Sequence, residues 1–282
     1  MPDPDYYIGL PQWNHPAWHE HLFAGDDARP LASYAGSFNS VEGNTTFYGL
    51  PSADAVQRWK EETGPDFRFC FKFPSELSHQ NGLHHSDADL LAFVRRLALL
   101  EDKLGMLWLQ LPAAFGPAQL QQLAQFLMQL PAGFRYAVEV RHPAFFERGD
   151  ADKQLTDLLA QAGVNRLAFD TRVLFGHPAS DRVTREALKA KPKLPLRPVA
   201  TAGNPMLRFI APLDLQLADA ALDYWAQRAT KWIGEGRTPW LFFHTPDNAR
   251  APLLAQRFAE KMSGYRGFRP WPEPSQAQGG LF

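Results

Sequence analysis

Residues 67–74 read Phe67-Arg68-Phe69-Cys70-Phe71-Lys72-Phe73-Pro74. Strict alternation of one large apolar side chain with something else is the period-two pattern of a β-strand. Pro74, which has no N–H to give to a ladder, stops it. The four phenylalanines share one face, and Arg68, Cys70 and Lys72 share the other. Aromatics in such a row pack under helices, which turns Arg68, Cys70 and Lys72 toward the far side of the sheet.

Seven further short apolar runs flank this one, at 6–10, 40–47, 106–111, 136–141, 166–170, 206–210 and 240–244. Helical periodicity fills the intervals at 53–62, 87–100, 117–130, 153–161, 218–233 and 251–262. Strands alternating with helices imply a parallel sheet. Eight such units in 282 residues fit a single (β/α)₈ TIM barrel in the α/β class. The rhythm breaks twice. A short helix at 181–189 leads into the proline-rich stretch 191–205, which makes the sixth crossover irregular, and loops of that length often serve function. Residues 265–282 carry no periodicity and read as a flexible tail, leaving 1–264 as the barrel domain.

Composition narrows the function classes. Hydrophobic residues make up 45 % and charged residues 21 %, and the formal charge is −1. This is a globular chain without a global basic field for nucleic acid or anionic membrane. One cysteine excludes a disulfide framework and a cysteine metal cluster. The acidic, proline-broken start (Met1-Pro2-Asp3-Pro4-Asp5) is no signal peptide, and no apolar run reaches transmembrane length, so a cytoplasmic protein without membrane contact is expected.

Alternation along each strand nominates the side chains that point into the barrel. They are Glu42 and Asn44 on the second strand, Lys72 on the third, Gln110 on the fourth and Glu139 and Arg141 on the fifth. Asp170 on the sixth, Arg208 on the seventh and His244 on the eighth complete the set. Most fall near the C-terminal ends of their strands, where this architecture keeps its active sites. Buried charges must pair, so they form either a closed ionic plug or the wall of an open pocket. In a pocket, Glu42, Glu139, Asp170 and His244 are the candidate catalytic groups. Lys72, Arg141 and Arg208, with Gln110 and Asn44, are candidates to hold phosphate. Interleaved cations disfavour a dense carboxylate metal cluster, though a divalent metal on the carboxylates and histidines stays an open alternative. Trp13 and His15, in the loop after the first strand, either stack on a ligand or cap the barrel mouth. Cys70 reads as a small core residue.

Seven runs in this order carry a resemblance: IGLPQWNHPAW (8–18), FNSVEGNTTFYGLP (38–51), FRFCFKFPSELSHQ (67–80), LWLQLPAAFGP (107–117), YAVEVRHPAFF (136–146), RFIAPLD (208–214) and FFHTPDNARAP (242–252). Together they resemble the YecE-like family, bacterial TIM-barrel proteins carried as a domain of unknown function, and most of all its enterobacterial subgroup. The resemblance implies the barrel and brings no activity and no catalytic residues. The wider family often has Arg-Leu-His-Gly on strand seven, where this chain has Arg208-Phe209-Ile210-Ala211. Any mechanism built on that missing histidine does not transfer.

The chain closes on Gln278-Gly279-Gly280-Leu281-Phe282, which is similar to the Gln-x-x-Leu-Phe peptide by which bacterial polymerases and repair proteins dock on the DNA sliding clamp. Leu281 and Phe282 would be its apolar anchors and Gln278 its polar one. The resulting expectation is a protein that binds or processes a phosphate-bearing, DNA-related ligand at the barrel mouth while tethered to the clamp. If it is an enzyme, a hydrolase of phosphodiester type is the first expectation. A clamp-associated adaptor without catalysis and a sugar-phosphate enzyme are the alternatives.

Overall fold

A computed structural model describes residues 3–19, 29–80, 82–84, 87–179 and 181–270. The eight parallel strands are β1 (Tyr7–Gly9), β2 (Ser40–Gly43), β3 (Arg68–Lys72), β4 (Leu104–Gln110), β5 (Tyr136–Glu139), β6 (Asn165–Asp170), β7 (Met206–Ile210) and β8 (Trp240–His244). They pair in the order β1-β8-β7-β6-β5-β4-β3-β2, a nearly closed barrel. Around it lie α1 (Pro16–His19), α2 (Pro30–Ser37), α3 (Ala53–Glu61), α4 (Asp87–Leu97), α5 (Leu120–Gln129), α6 (Asp150–Gln161), α7 (Arg172–Gly176), α8 (Arg182–Ala190), α9 (Asp219–Gly234) and α10 (Ala251–Lys261). β2 is shorter than its sequence pattern, because Thr45–Phe47 turn into a 3₁₀ helix.

The seam between β1 and β2 is closed largely by side chains. Glu42 N–H donates to the Leu10 carbonyl at 2.9 Å. The Asn39 amide accepts from Ile8 N–H at 2.8 Å and donates to the Tyr6 carbonyl at 2.9 Å. The buried Tyr34 hydroxyl accepts from Leu10 N–H and donates to the Ser40 carbonyl, both at 2.8 Å. Gly9 is required here, since a Cβ would stand 2.2 Å from the Ser40 carbonyl oxygen.

Two apolar layers result. The phenylalanines of β3 join the outer layer between strands and helices. Cys70, Met106, Trp108, Leu167, Phe169, Met206, Ile210, Trp240 and Phe242 fill the barrel, with Tyr7 stacked on Trp240 at 4.0 Å. The interior below the mouth is therefore packed core.

The inward and outward faces follow the sequence reading on β3, β4, β5, β7 and β8, and β6 is the exception. Leu167 and Phe169 point inward, so Arg166, Ala168 and Asp170 point outward. The reason is partner supply. Arg166 finds Asp152 of α6 at 2.6 Å, and Asp170 finds Arg172 and the Trp225 indole. Inside the barrel, Phe169 serves as an apolar plate for the neighbouring guanidinium groups.

The irregular sixth crossover is laced down. Thr201 Oγ1 accepts from Arg166 N–H and donates to the Val164 carbonyl, and Asn165 Oδ1 accepts from Asn204 N–H. Residues 265–269 run across the barrel's underside. Arg269 N–H reaches the Ser37 carbonyl, and Gly267 lies flat on the Tyr6 ring. Gln278, Leu281 and Phe282 lie outside the described residues.

Candidate functional site

At the C-terminal ends of β2, β5, β7 and β8 the strands bring together Glu42, Glu139, Arg208 and His244. Arg208 is the hub. Its Nε and Nη2 form a two-pronged pair with Glu42 at 2.9 and 2.8 Å, and its Nη1 donates to Glu139 Oε2 at 2.7 Å. Arg141 Nε donates to the other oxygen of Glu139 at 2.9 Å, and its Nη2 to Gln110 Oε1 at 2.9 Å. Asn44 Nδ2 donates to Glu42 Oε1 at 2.9 Å, and His244 Nε2 lies 3.0 Å from Glu42 Oε2. Both carboxylates are fully buried, at 0 % exposure.

The electrostatics follow from that geometry. Burial alone would raise the Glu42 carboxyl, but Arg208 and His244 overcome it and hold it well below the ordinary carboxylate range. Glu139 is lowered in the same way, with Arg208 and Arg141 outweighing its burial. Burial holds His244 below its ordinary value despite Glu42, so at neutral pH it is an uncharged imidazole whose Nε2–H donates to that carboxylate. Every oxygen of the two glutamates is engaged by a cation or an amide. They fix the guanidinium groups in place, and they are poor candidates to take up a proton.

The cations are not so well matched. Lys72 is 7 % exposed, and its ammonium has no hydrogen-bond acceptor among the described residues. It sits 3.6 Å over the centre of the Phe47 ring. Its register partner on β4, Trp108, has a buried indole N–H with no acceptor among the described residues. Arg208 lies between the rings of Trp108 and Phe169, at 5.8 and 5.5 Å. Lys191, at the C-terminal end of α8, is lowered by burial and by Arg208 and Arg141. His79, on the loop after β3, packs its ring against Phe47 at 5.2 Å and lies 3.5 Å from Gln110 Nε2.

The structure thus joins Glu42, Asn44, Lys72, Gln110, Glu139, Arg141, Arg208 and His244 in one cluster. It leaves out three expected residues. Asp170 faces α9, accepting from Trp225 Nε1 at 2.8 Å. Trp13 packs edge-on against Trp59 and Phe69 in the outer layer. His15 lies beside Trp18, whose indole is tied to the Asn248 carbonyl. Among the described residues no group of three or more His, Cys, Asp or Glu side chains is placed to hold a metal ion. Buried Cys70 lies 3.8 Å from Ser40 Oγ, and burial pushes its thiol up, as suits a core residue.

Sequence reasoning missed Lys191, Phe47 and Phe169. Lys191 opens a proline-rich loop, where strand alternation assigns no face. Its one signal was a cation at the head of the longest irregular connection.

A model of the family described as "Protein of unknown function DUF72" matches residues 7–278. The chain belongs to the DUF72 family. It is 45 % identical over 256 residues to UPF0759 protein YecE of Escherichia coli (strain K12), covering 91 % of this chain and 92 % of that protein. Among solved DUF72 structures, one from Enterococcus faecalis V583 matches with a TM-score of 0.69 at 18 % identity, covering 95 % of this chain and 99 % of the other. One from Thermotoga maritima MSB8 matches at 0.65 and 20 %, covering 92 % and 99 %. These two likenesses establish the DUF72 barrel and say nothing of its chemistry. No described helix is long and apolar enough to cross a membrane.

Proposed function

We propose that the protein binds a small phosphate-bearing anion at the C-terminal mouth of the barrel. The observation that carries this reading is the imbalance of the cluster. Four cationic side chains, Lys72, Arg141, Lys191 and Arg208, face two carboxylates, and both carboxylates are already paired with guanidinium groups. The buried Trp108 N–H has no acceptor among the described residues, and the Lys72 ammonium faces the Phe47 ring with both nearby carboxylates already paired to guanidinium groups. Buried donors are rarely left unmatched, and an anion supplies both the missing charge and the missing acceptors. Arg141, Lys72, His79 and Lys191 form the rim such a ligand would touch. Glu42 and Glu139 hold that rim from behind.

A metal-assisted phosphodiesterase finds little support in this arrangement, because Asp170 points away and both glutamates are taken up by Arg208 and Arg141. Thermal shift with inorganic phosphate, a sugar phosphate and a nucleotide tests the anion reading. A saturable rise in Tm that disappears in Arg141→Gln supports it, and no shift up to about 10 mM of any of the three overturns it. The rank order of the three ligands separates a sugar-phosphate enzyme from a nucleic-acid-related protein.

A second reading, that the protein docks on the bacterial sliding clamp, rests on the Gln278, Leu281 and Phe282 motif. Full-length protein and a version lacking residues 278–282 are titrated against the clamp. Saturable binding at roughly micromolar concentration, lost on deletion, supports it. Equal binding by both versions, or none, removes it.

A further inference from the structure

We infer that Lys72 is a nucleophile that forms an imine with an anionic aldehyde or ketone bound at the barrel mouth. The inference rests on the anion reading and names the substrate class. Its ground is the setting of one amine. Lys72 leaves the end of β3 at the mouth, is 7 % exposed and has no acceptor among the described residues. A lysine kept only for charge would be salt-bridged or would extend to water. Here the carboxylates that could pair with it, Glu42 and Glu139, are engaged by Arg208 and Arg141 instead.

The surroundings weaken the ammonium form. Facing Lys72 are Glu42 from β2, Glu139 from β5, Arg141 from just beyond its end, Arg208 from β7 and His79 from the loop after β3. Burial, with the two guanidinium groups, outweighs the glutamates and lowers the amine from the ordinary 10.5 to about 8. At neutral pH that raises the free-amine fraction by roughly two orders of magnitude. A lysine desolvated beside other cations is the usual route to a Schiff-base nucleophile.

The step balances without a further reagent. The Nζ lone pair adds to the carbonyl carbon, and the carbonyl oxygen takes a proton, giving a carbinolamine. Loss of that hydroxyl as water, with the remaining Nζ proton given up, leaves the C=N bond. His79 is placed to move these protons. Its ring meets edge-on the same Phe47 ring that Lys72 sits over, its Nδ1 lies 2.7 Å from Ser78 Oγ, and burial together with the Lys72 charge holds it below its ordinary value, hence uncharged at neutral pH. The ligand's phosphate or carboxylate would sit against Arg141 and Lys191.

The test uses full-length protein, glyceraldehyde 3-phosphate and glyoxylate as probes, and cyanoborohydride to reduce any imine. Peptide mass mapping then locates the adduct. The expected result is labelling of Lys72 at least tenfold faster than of exposed Lys153 or Lys231, suppressed by inorganic phosphate and absent in Lys72→Arg of unchanged circular dichroism. Labelling spread over surface lysines, confined to Lys191, or absent overturns it. Phosphate stabilisation of the wild-type protein without Lys72 labelling removes the imine and leaves the anion site standing. Neither stabilisation nor labelling removes both.

Discussion

At the residue scale, Lys72 and Glu42 have opposite effects on stability. The lowered amine of Lys72 means that the unfolded chain binds more protons than the folded one between about pH 8 and 10.5. Stability therefore rises with pH across that window, and below it Lys72 destabilises the fold. Lys72→Met is expected to stabilise the protein at pH 7 by about 1–3 kcal/mol in urea titration, with the gain shrinking toward pH 10. A loss of stability at pH 7 would show that the Phe47 contact outweighs desolvation. Glu42, Glu139 and His244 all have lowered values in the folded state. Their contribution is present at neutral pH. It is lost first as pH falls below the ordinary histidine value of 6.5, and then below the carboxylate value of 4.5. Glu42→Gln leaves Arg208 short of a buried partner. A cost of about 3–5 kcal/mol at pH 7 is expected, with a flatter acid limb in the urea midpoint against pH.

At the element scale, the 191–205 loop depends on one buried acid. Asp152 of α6 accepts from Arg166 of β6 at 2.6 Å and from Arg197 of the loop at 2.5 Å, and all three side chains are largely shielded from water. This triad holds the irregular crossover against the barrel. Asp152→Ala strands two guanidinium groups, with an expected cost of about 3–5 kcal/mol. Faster proteolysis within 191–205 should accompany it, and unchanged cleavage would separate the loop from the triad. The same residues show why alternation alone misassigns the faces of β6. Arg166 and Asp170 look like barrel-interior polar groups in the sequence, and only α6 and α9 reveal that their partners stand outside.

At the scale of the whole molecule, barrel closure is concentrated at the β1–β2 seam. Tyr34→Phe removes a hydroxyl that serves Leu10 N–H and the Ser40 carbonyl, leaving two buried groups at about 1–3 kcal/mol each. Gly9→Ala places a methyl 2.2 Å from a backbone oxygen, which no rotamer change relieves. Strand separation at the seam, about 1–3 kcal/mol of destabilisation and faster amide exchange at Glu42 are expected. Unaltered exchange there would mean that the seam adapts without opening. Because Glu42 lies at this seam and also anchors Arg208, closure of the barrel and order in the site are one physical problem.

Local pattern in the chain sets the architecture and most of the cluster. Period-two alternation, proline stops and intervening helical patterns are local, and they placed Lys72, Gln110, Glu139, Arg141, Arg208 and His244 on inward faces before any packing was known. What local pattern could not supply was pairing. That Glu42 and Glu139 share Arg208 and that Asp170 turns to Trp225 are relations between elements 55 to 166 residues apart, and that Lys72 lacks an acceptor among the described residues follows from them. A face with two polar residues and a face with two apolar ones are equally good strands, and the choice between them on β6 was made by the helices packed against it. The charge surplus at the mouth likewise belongs to no segment. It exists only once the barrel closes and the loop after α8 brings Lys191 over the cluster.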